Sequence, residues 1–300
     1  MEQYSQALMC GPHPESVHVC FTNRAFAFIK MKNYDEALVD VVRALENKAT
    51  HSKAYYMGGL ALVGQGRPWK AVEMFEKAGE LAGKPKDKDM SLKKRDSAAA
   101  KGAAISDEEK AEIDAQVTQK RKARLQSLLS AVENIMAHPT QTGAQEEEMM
   151  KYNTAAPLLI QAVALSELDE STPVLRVDAI RLLARVHFLS RRFEIAGETY
   201  NLAITLAKKV LQADPDTPGL AASVQECQFF MAQALRTQNK PVFTKETISL
   251  LNEAMAGPQP SLVSKATREL IAVYTALRDA QDEGSEARQE FEALIVSLSQ

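Results

Sequence analysis

Residues 21–45, FTNRAFAFIKMKNYDEALVDVVRAL, decide the fold, because they return in altered form at residues 54–81 as AYYMGGLALVGQGRPWKAVEMFEKAGEL. A shift of 34 residues places Phe21 on Tyr55, Ala25 on Gly59, Phe28 on Leu62, Ala37 on Ala71, Val41 on Phe75 and Ala44 on Ala78. Large residues fall on large ones and small on small. Two antiparallel helices approach closely only where small side chains face each other, and larger ones fill the gaps beside them. A fixed period of this length marks a stack of helical hairpins.

This period, with small residues near positions 8, 20 and 27 of each copy, resembles the tetratricopeptide repeat. The two copies cover about a quarter of the chain, and Ala49 stands where the first copy would usually end in proline. Upstream, QYSQAL resembles the latter part of another repeat's second helix, with Tyr4 and Ala7 as its large and small residues. The chain is therefore expected to start in mid-repeat, with a long loop from Cys10 to Val17. The implied fold class is all-α, an α-α superhelix of helical hairpins in two modules.

Within this family the sequence is similar to the carboxylate-clamp co-chaperones, which hold the C-terminal carboxylates of heat-shock chaperones ending in Glu-Glu-Val-Asp. Thr22-Asn23-Arg24 matches their [ST]-N-R segment, and Lys53, two places before Tyr55, matches their third-repeat lysine. The resemblance implies that Asn23 and Lys53 face a groove and donate to carboxylate oxygens. Lys30, one turn beyond Asn23, adds a further donor, and Phe26 and Met57 complete the expected peptide-binding set. Two departures stand out. The family's first-repeat Lys and Asn would precede Met1, and the Arg often found four residues after the lysine is Met57 here.

Composition sets the outer bounds. Lys and Arg total 36 against 39 Asp and Glu, a net charge of −3, which argues against nucleic-acid binding through bulk charge. The chain is 45% hydrophobic with 13 Gly and 12 Pro, which disfavours both turn-rich all-β and disordered chains. Three Cys cannot staple 300 residues and point to a reducing compartment. The longest apolar run, 155–165, is too short to cross a membrane and contains Pro157 and Gln161. MEQYSQALMC lacks the features of a secretory signal. A cytoplasmic location is expected, with the nucleus as an option, and no membrane insertion.

The aromatics divide the chain. None of the 18 lies within 84–151, so two packed modules with a connector are expected. The domain reading is a repeat module over 1–83, a charged flexible linker over 84–105, a long amphipathic helix over 106–138 and a degenerate second module over 152–300. Ser106 and Glu109 form a capping-box pattern, and Leu125, Leu128, Leu129, Val132, Ile135 and Met136 make one apolar stripe. The front of this helix is expected to be solvated and its back docked. In the second module LLARVHFLSRRFEIAGETYNLAI has Ala184, Ala196, Tyr200 and Ala203 at repeat-like spacing. Looser hairpins follow around Ala232, Leu251, Ala254, Ala272, Phe291 and Leu294, and the final EGSEARQEFEALIVSLSQ, residues 283–300, reads as an amphipathic capping helix.

No catalytic pattern, cofactor motif or metal knuckle emerges. Gly58-Gly59 and Gly64-x-Gly66 lack the Lys-Ser or Lys-Thr of a phosphate loop. The spacing of Cys10 and His13 is tolerable for zinc, but with His18 and Cys20 it matches no known knuckle, and Cys20, Cys227 and His187 read as packed residues. His51 and His138 read as turn residues, and Glu146–Glu148 and Asp169-Glu170 as helix-start charges. Lys93-Lys94-Arg95 and Lys120-Arg121-Lys122 lack interleaved aromatics and read as solvated. The functional expectation is a non-enzymatic adaptor of co-chaperone type that binds a partner's tail or helix in the groove of residues 21–80. The layout is nearest the myosin-chaperone type, without room for its armadillo array. The rivals are a constitutive scaffold subunit and an accessory half of a ubiquitin ligase or prolyl isomerase.

Overall fold

The computed structural model describes residues 16–137, 145–168, 171–238, 245–281 and 283–299. Among them all regular structure is helical. The helices are α1 (Val17–Lys30), α2 (Tyr34–Asn47), α3 (Ser52–Gly64), α4 (Pro68–Glu80), α5 (Pro85–Ala103), α6 (Asp107–Ala137) and α7 (Gln145–Glu167). Then come α8 (Pro173–Leu189), α9 (Phe193–Ala213), α10 (Leu220–Gln238), α11 (Lys245–Met255), α12 (Pro260–Asp279) and α13 (Glu286–Ser299).

Three chain reversals are built alike. After α1, Lys32 N–H donates to Ile29 O (3.0 Å) and Asn33 N–H to Phe28 O (2.9 Å). After α3, Gly66 N–H donates to Val63 O (3.0 Å) and Arg67 N–H to Leu62 O (2.9 Å). After α8, Arg191 N–H donates to Phe188 O (3.0 Å) and Arg192 N–H to His187 O (2.9 Å). This is the Schellman arrangement, which satisfies carbonyls left open at a helix end. It needs positive φ at one residue, and the values are 61° at Lys32, 79° at Gly66 and 59° at Arg191. Only Gly66 takes this without steric cost; Lys32 and Arg191 each carry about 1 kcal/mol of strain.

The core repeats with the turns. Ala25, Ala37, Val41 and Ala44 are 0–1% exposed, and Ala184, Ala196, Tyr200 and Ala203, at the same intervals, are all 0% exposed. The copy between them holds Gly59, Ala71, Phe75 and Ala78. There a Cβ on Gly59 would come within 2.6 Å of the Phe75 ring, so the glycine makes room for the larger partner. Val41, smaller than Phe75, is matched by Ala25 with its methyl. Gly64 does the same for Tyr34, whose ring lies 2.3 Å from where its Cβ would be. Arg24 spans the first hairpin with two bonds to Asp40, of 2.8 and 2.7 Å.

Residues 84–105, expected as a flexible linker, form helix α5 instead. It packs along α4, with Ser91, Ala98 and Gly102 buried. A Cβ on Gly102 would sit 3.1 Å from Trp69 Cα, so the two backbones are nearly in contact. The serine, alanine and glycine content that looked like a linker is the docking surface itself. Small residues let a helix come close without any aromatic anchor.

The front of α6 also differs from expectation. Its capping box forms, with Ser106 N–H donating to Glu109 Oε2 (3.0 Å) and Glu109 N–H to Ser106 Oγ (3.2 Å). Beyond it the helix is pinned rather than solvated. Asp114 pairs with Arg67 (2.6 Å) and Lys70 (2.7 Å). Arg121, 5% exposed, pairs with Asp35 at 2.7 Å and donates to Leu168 O at 2.9 Å. Charged side chains reach partners of opposite charge where apolar ones were sought, so a search for apolar spacing passes over them.

The described residues fall into two compact units. The first extends beyond residue 83 to Leu125 and includes Glu167 and Leu168; the second holds the remainder. In the second, α8 to α13 pack each on the next. Buried Gln225 stitches the α11–α12 loop by donating to Ala254 O (2.8 Å) and accepting from Gln259 N–H (2.7 Å). The expected half-repeat at residues 3–8 lies outside the described residues.

Candidate functional site

Hairpin stacking sets the first helices of successive repeats, α1 and α3, side by side. Asn23 sits midway along α1 and Lys53 in the first turn of α3. The structure joins them: Lys53 Nζ donates to Asn23 Oδ1 at 2.9 Å. That contact uses one of the three ammonium N–H groups and leaves the NH₂ of Asn23 unused by it. Lys53 is exposed and Asn23 half-buried, so the pair stands at the surface with donors in hand.

Asn23, Phe26 and Lys30 are three and four residues apart and share one face of α1. Phe26 is 43% exposed, a large apolar group left in solvent, and Lys30 Nζ lies 5.2 Å from its ring centroid. The cation over the ring face holds both side chains at the surface. Met57 does not join this exposed set. It is 6% exposed and belongs to the core of the first unit. Its thioether packs where an arginine at the same place would have to carry charge inward.

A cavity of about 460 Å³ opens beside Lys53. Its walls include Lys48, His51, Tyr56 and Met57, with Leu81, Asp87, Met90 and Ser91 from the end of α4 and from α5. Half-buried His51 sets its ring edge-on to His18, with centroids 4.6 Å apart. Burial first, then the His18, Lys48 and Lys53 charges, hold the His51 pKa down to about 4. It is therefore neutral at pH 7, and the cationic character of this corner comes from Lys48 and Lys53. Burial raises the Tyr56 hydroxyl pKa.

Sequence reasoning named Asn23, Lys53, Lys30, Phe26 and Met57 but missed the cavity that Lys53 and Met57 line, because part of its wall comes from α5. The signal was present: Val17, His51 and Pro85 are spaced 34 apart, so the period runs on into a third first-helix. The other candidates are not among the residues that line this cavity. His187 is 9% exposed and Cys227 is 1% exposed, its thiol pushed up to about 12 chiefly by burial. Cys20 is half-buried. No group of three metal-ligating side chains occurs among the described residues, which exclude Cys10, His13, His138, Asp169 and Glu170. No helix there is long and apolar enough to cross a membrane.

No family model matches the chain. Over 64 residues it is 38% identical to the Hsp70/Hsp90 co-chaperone cns1 of Schizosaccharomyces pombe, a match that covers 21% of this chain and 18% of that protein. The chain thus spans less than a fifth of this relative. Among solved structures, YrrB, a TPR protein with an unusual peptide-binding site, aligns over 88% of this chain and 97% of its own, with 17% identity and a TM-score of 0.29. The P58(IPK) TPR domain aligns over 100% and 93%, with 13% identity and a TM-score of 0.29. The myosin chaperone UNC-45 from C. elegans, in complex with a Hsp90 peptide, aligns over 98% and 32%, with 18% identity and a TM-score of 0.29. The recurring core intervals and the repeated helix-ending turn give this chain a tetratricopeptide-like fold of helical hairpins, similar over a short stretch to a protein named as an Hsp70/Hsp90 co-chaperone.

Proposed function

We infer that this protein is a non-enzymatic adaptor of co-chaperone type that grips a partner's C-terminal tail at Asn23 and Lys53. The observation that carries the reading is the 2.9 Å contact between these two side chains, which come from different repeats. A carboxylate has two oxygens. One can take an N–H from the Lys53 ammonium and the other an N–H from the Asn23 amide, and charge-assisted bonds of this kind are the stronger sort. The cavity beside them supplies an apolar wall of Met57, Leu81 and Met90 for a side chain of the tail. Exposed Phe26, capped by Lys30, extends the contact along α1.

The similarity to a protein named as an Hsp70/Hsp90 co-chaperone supports heat-shock chaperone tails as the partner class. Among the described residues two side chains, Asn23 and Lys53, make up the clamp. Micromolar rather than nanomolar binding is the expected outcome. The test is titration of a labelled peptide ending in Glu-Glu-Val-Asp into the wild-type chain and into Asn23→Ala and Lys53→Ala. Each substitution removes one charge-assisted bond, of about 1.5–3 kcal/mol, and should weaken binding roughly tenfold or more. Unchanged affinity in both variants refutes the reading.

A further inference from the structure

The second unit carries a cavity of its own between α10 and α12. It holds about 440 Å³ and is lined by Phe229, Phe230, Gln233, Lys265, Arg268 and Glu269. Its charge is one-sided in effect. Glu269 is already occupied, by Arg236 and by Gln233, whose Nε2 donates to it at 3.3 Å. Lys265 makes no ion pair among the described residues, and Arg268 bonds only the Ser264 carbonyl of its own helix, at 3.2 Å. Both cations are exposed at the cavity wall.

Behind them lies an aromatic floor. Phe229 and Phe230 meet edge to face with centroids 5.3 Å apart, and Tyr200 stacks on Phe230 at 6.2 Å. The Arg185 guanidinium lies 5.3 Å from the Phe230 centroid while pairing with Glu226 at 2.9 Å. Glu226 also takes Arg181 at 2.8 Å, so two arginines share one carboxylate. Arg181 also pairs with Asp178 at 3.4 Å, so the charge at that end is balanced and the spare positive charge lies with Lys265 and Arg268.

We propose that this cavity binds an acidic segment of a partner protein, with an apolar side chain seated against Phe229 and Phe230 and flanking Asp or Glu residues meeting Lys265 and Arg268. Arginine and lysine clusters beside an aromatic anchor are the chemistry that recognises acidic motifs. A peptide fits better than a single-stranded nucleic acid, because Arg185 and Tyr200 already lie over the Phe230 ring where a base would stack. The site does not depend on the tail-binding reading, since it shares no residue with Asn23 and Lys53.

The test pans random dodecapeptides against the full chain and against the chain carrying Lys265→Glu and Arg268→Glu. Both side chains are exposed, so the variant should keep the parent's circular dichroism and melting temperature. Peptides that select for the parent alone are then labelled and titrated by fluorescence anisotropy. The expected result is enrichment of Asp and Glu around Phe, Leu or Met, with binding about tenfold weaker in the charge-reversed chain and unchanged by Lys53→Ala. Enrichment without acidic residues, equal binding to both chains, or no enriched peptide overturns the proposal. So does a labelled oligouridylate that binds the parent more tightly than the selected peptides and loses that affinity in the variant.

Discussion

The Gly59–Phe75 contact offers a perturbation whose sign can be worked out from the chain's own repeat. Glycine inside a helix normally costs about 1 kcal/mol against alanine, so Gly59→Ala on a free helix surface would stabilise by that amount. Here the new methyl would lie 2.6 Å from a Phe75 ring carbon, and Phe75 is fully buried. Overpacking of this kind costs about 1–3 kcal/mol, so the substitution should be net destabilising by up to about 2 kcal/mol. Phe75→Val alone empties part of the core and should cost about 2–3 kcal/mol, below the range for a full Phe truncation. The double variant recreates the Ala25–Val41 pair of the first repeat. There the methyl no longer clashes and fills part of the void. The double variant should therefore be more stable than the sum of the singles by about 1–3 kcal/mol. Trp69, the single tryptophan of the chain, lies in α4 and reports on the first unit, so urea unfolding followed by its fluorescence is the assay. Additive costs, or a Gly59→Ala variant that gains the full helix-propensity term, would refute this account of the repeat.

The repeated turn predicts opposite signs at equivalent places: Gly66→Ala should lose about 1 kcal/mol, and Lys32→Gly should gain a few tenths to 1 kcal/mol, in the same urea assay. Docking of α5 predicts slow tryptic cleavage at Lys93, Lys94, Arg95 and Lys101; Ala98→Asp buries a charge at a 2% exposed position and should speed it, whereas fast cleavage of the wild type would restore the linker reading. The pKa of His51 is lowered from 6.5 to about 4, chiefly by burial, so the stability its neutral form contributes is full above pH 6.5 and is lost as pH falls towards 4. The fall in melting temperature from pH 7 to 4.5 should therefore be smaller in His51→Gln, with a residue left by His187, whose pKa burial also lowers; an identical fall contradicts the burial of His51.

Much of the fold was legible because the repeat writes its packing in residue size. Ala25, Ala37, Val41 and Ala44 could be read from spacing alone, and the same intervals found Ala184, Ala196, Tyr200 and Ala203. The helix α5 was not legible by the same rule, because Ser91, Ala98 and Gly102 dock through the absence of side chains. Large apolar residues announce a core, whereas small ones are shared by linkers and by close helix contacts. The front of α6 escaped for a related reason: its anchors are Asp114 and Arg121, whose partners lie far away in sequence. At the site, Asn23 and Lys53 were readable only through family resemblance, since nothing in their spacing says that they touch. Met57, named beside the exposed residues, is 6% exposed and faces the core as well as the cavity. His51 was passed over as a turn residue, although it holds the N-cap position of α3 beside the cavity.

The central claim is that Asn23 and Lys53 hold a free terminal carboxylate. Its most direct measurement is isothermal titration of one decapeptide ending in Glu-Glu-Val-Asp, prepared with a free C-terminus and with an amidated one. Amidation removes the charge and one acceptor oxygen and leaves every side chain in place. The account predicts micromolar binding of the free acid and binding weaker by about tenfold or more for the amide. Equal affinities, or no binding of either form, would contradict it.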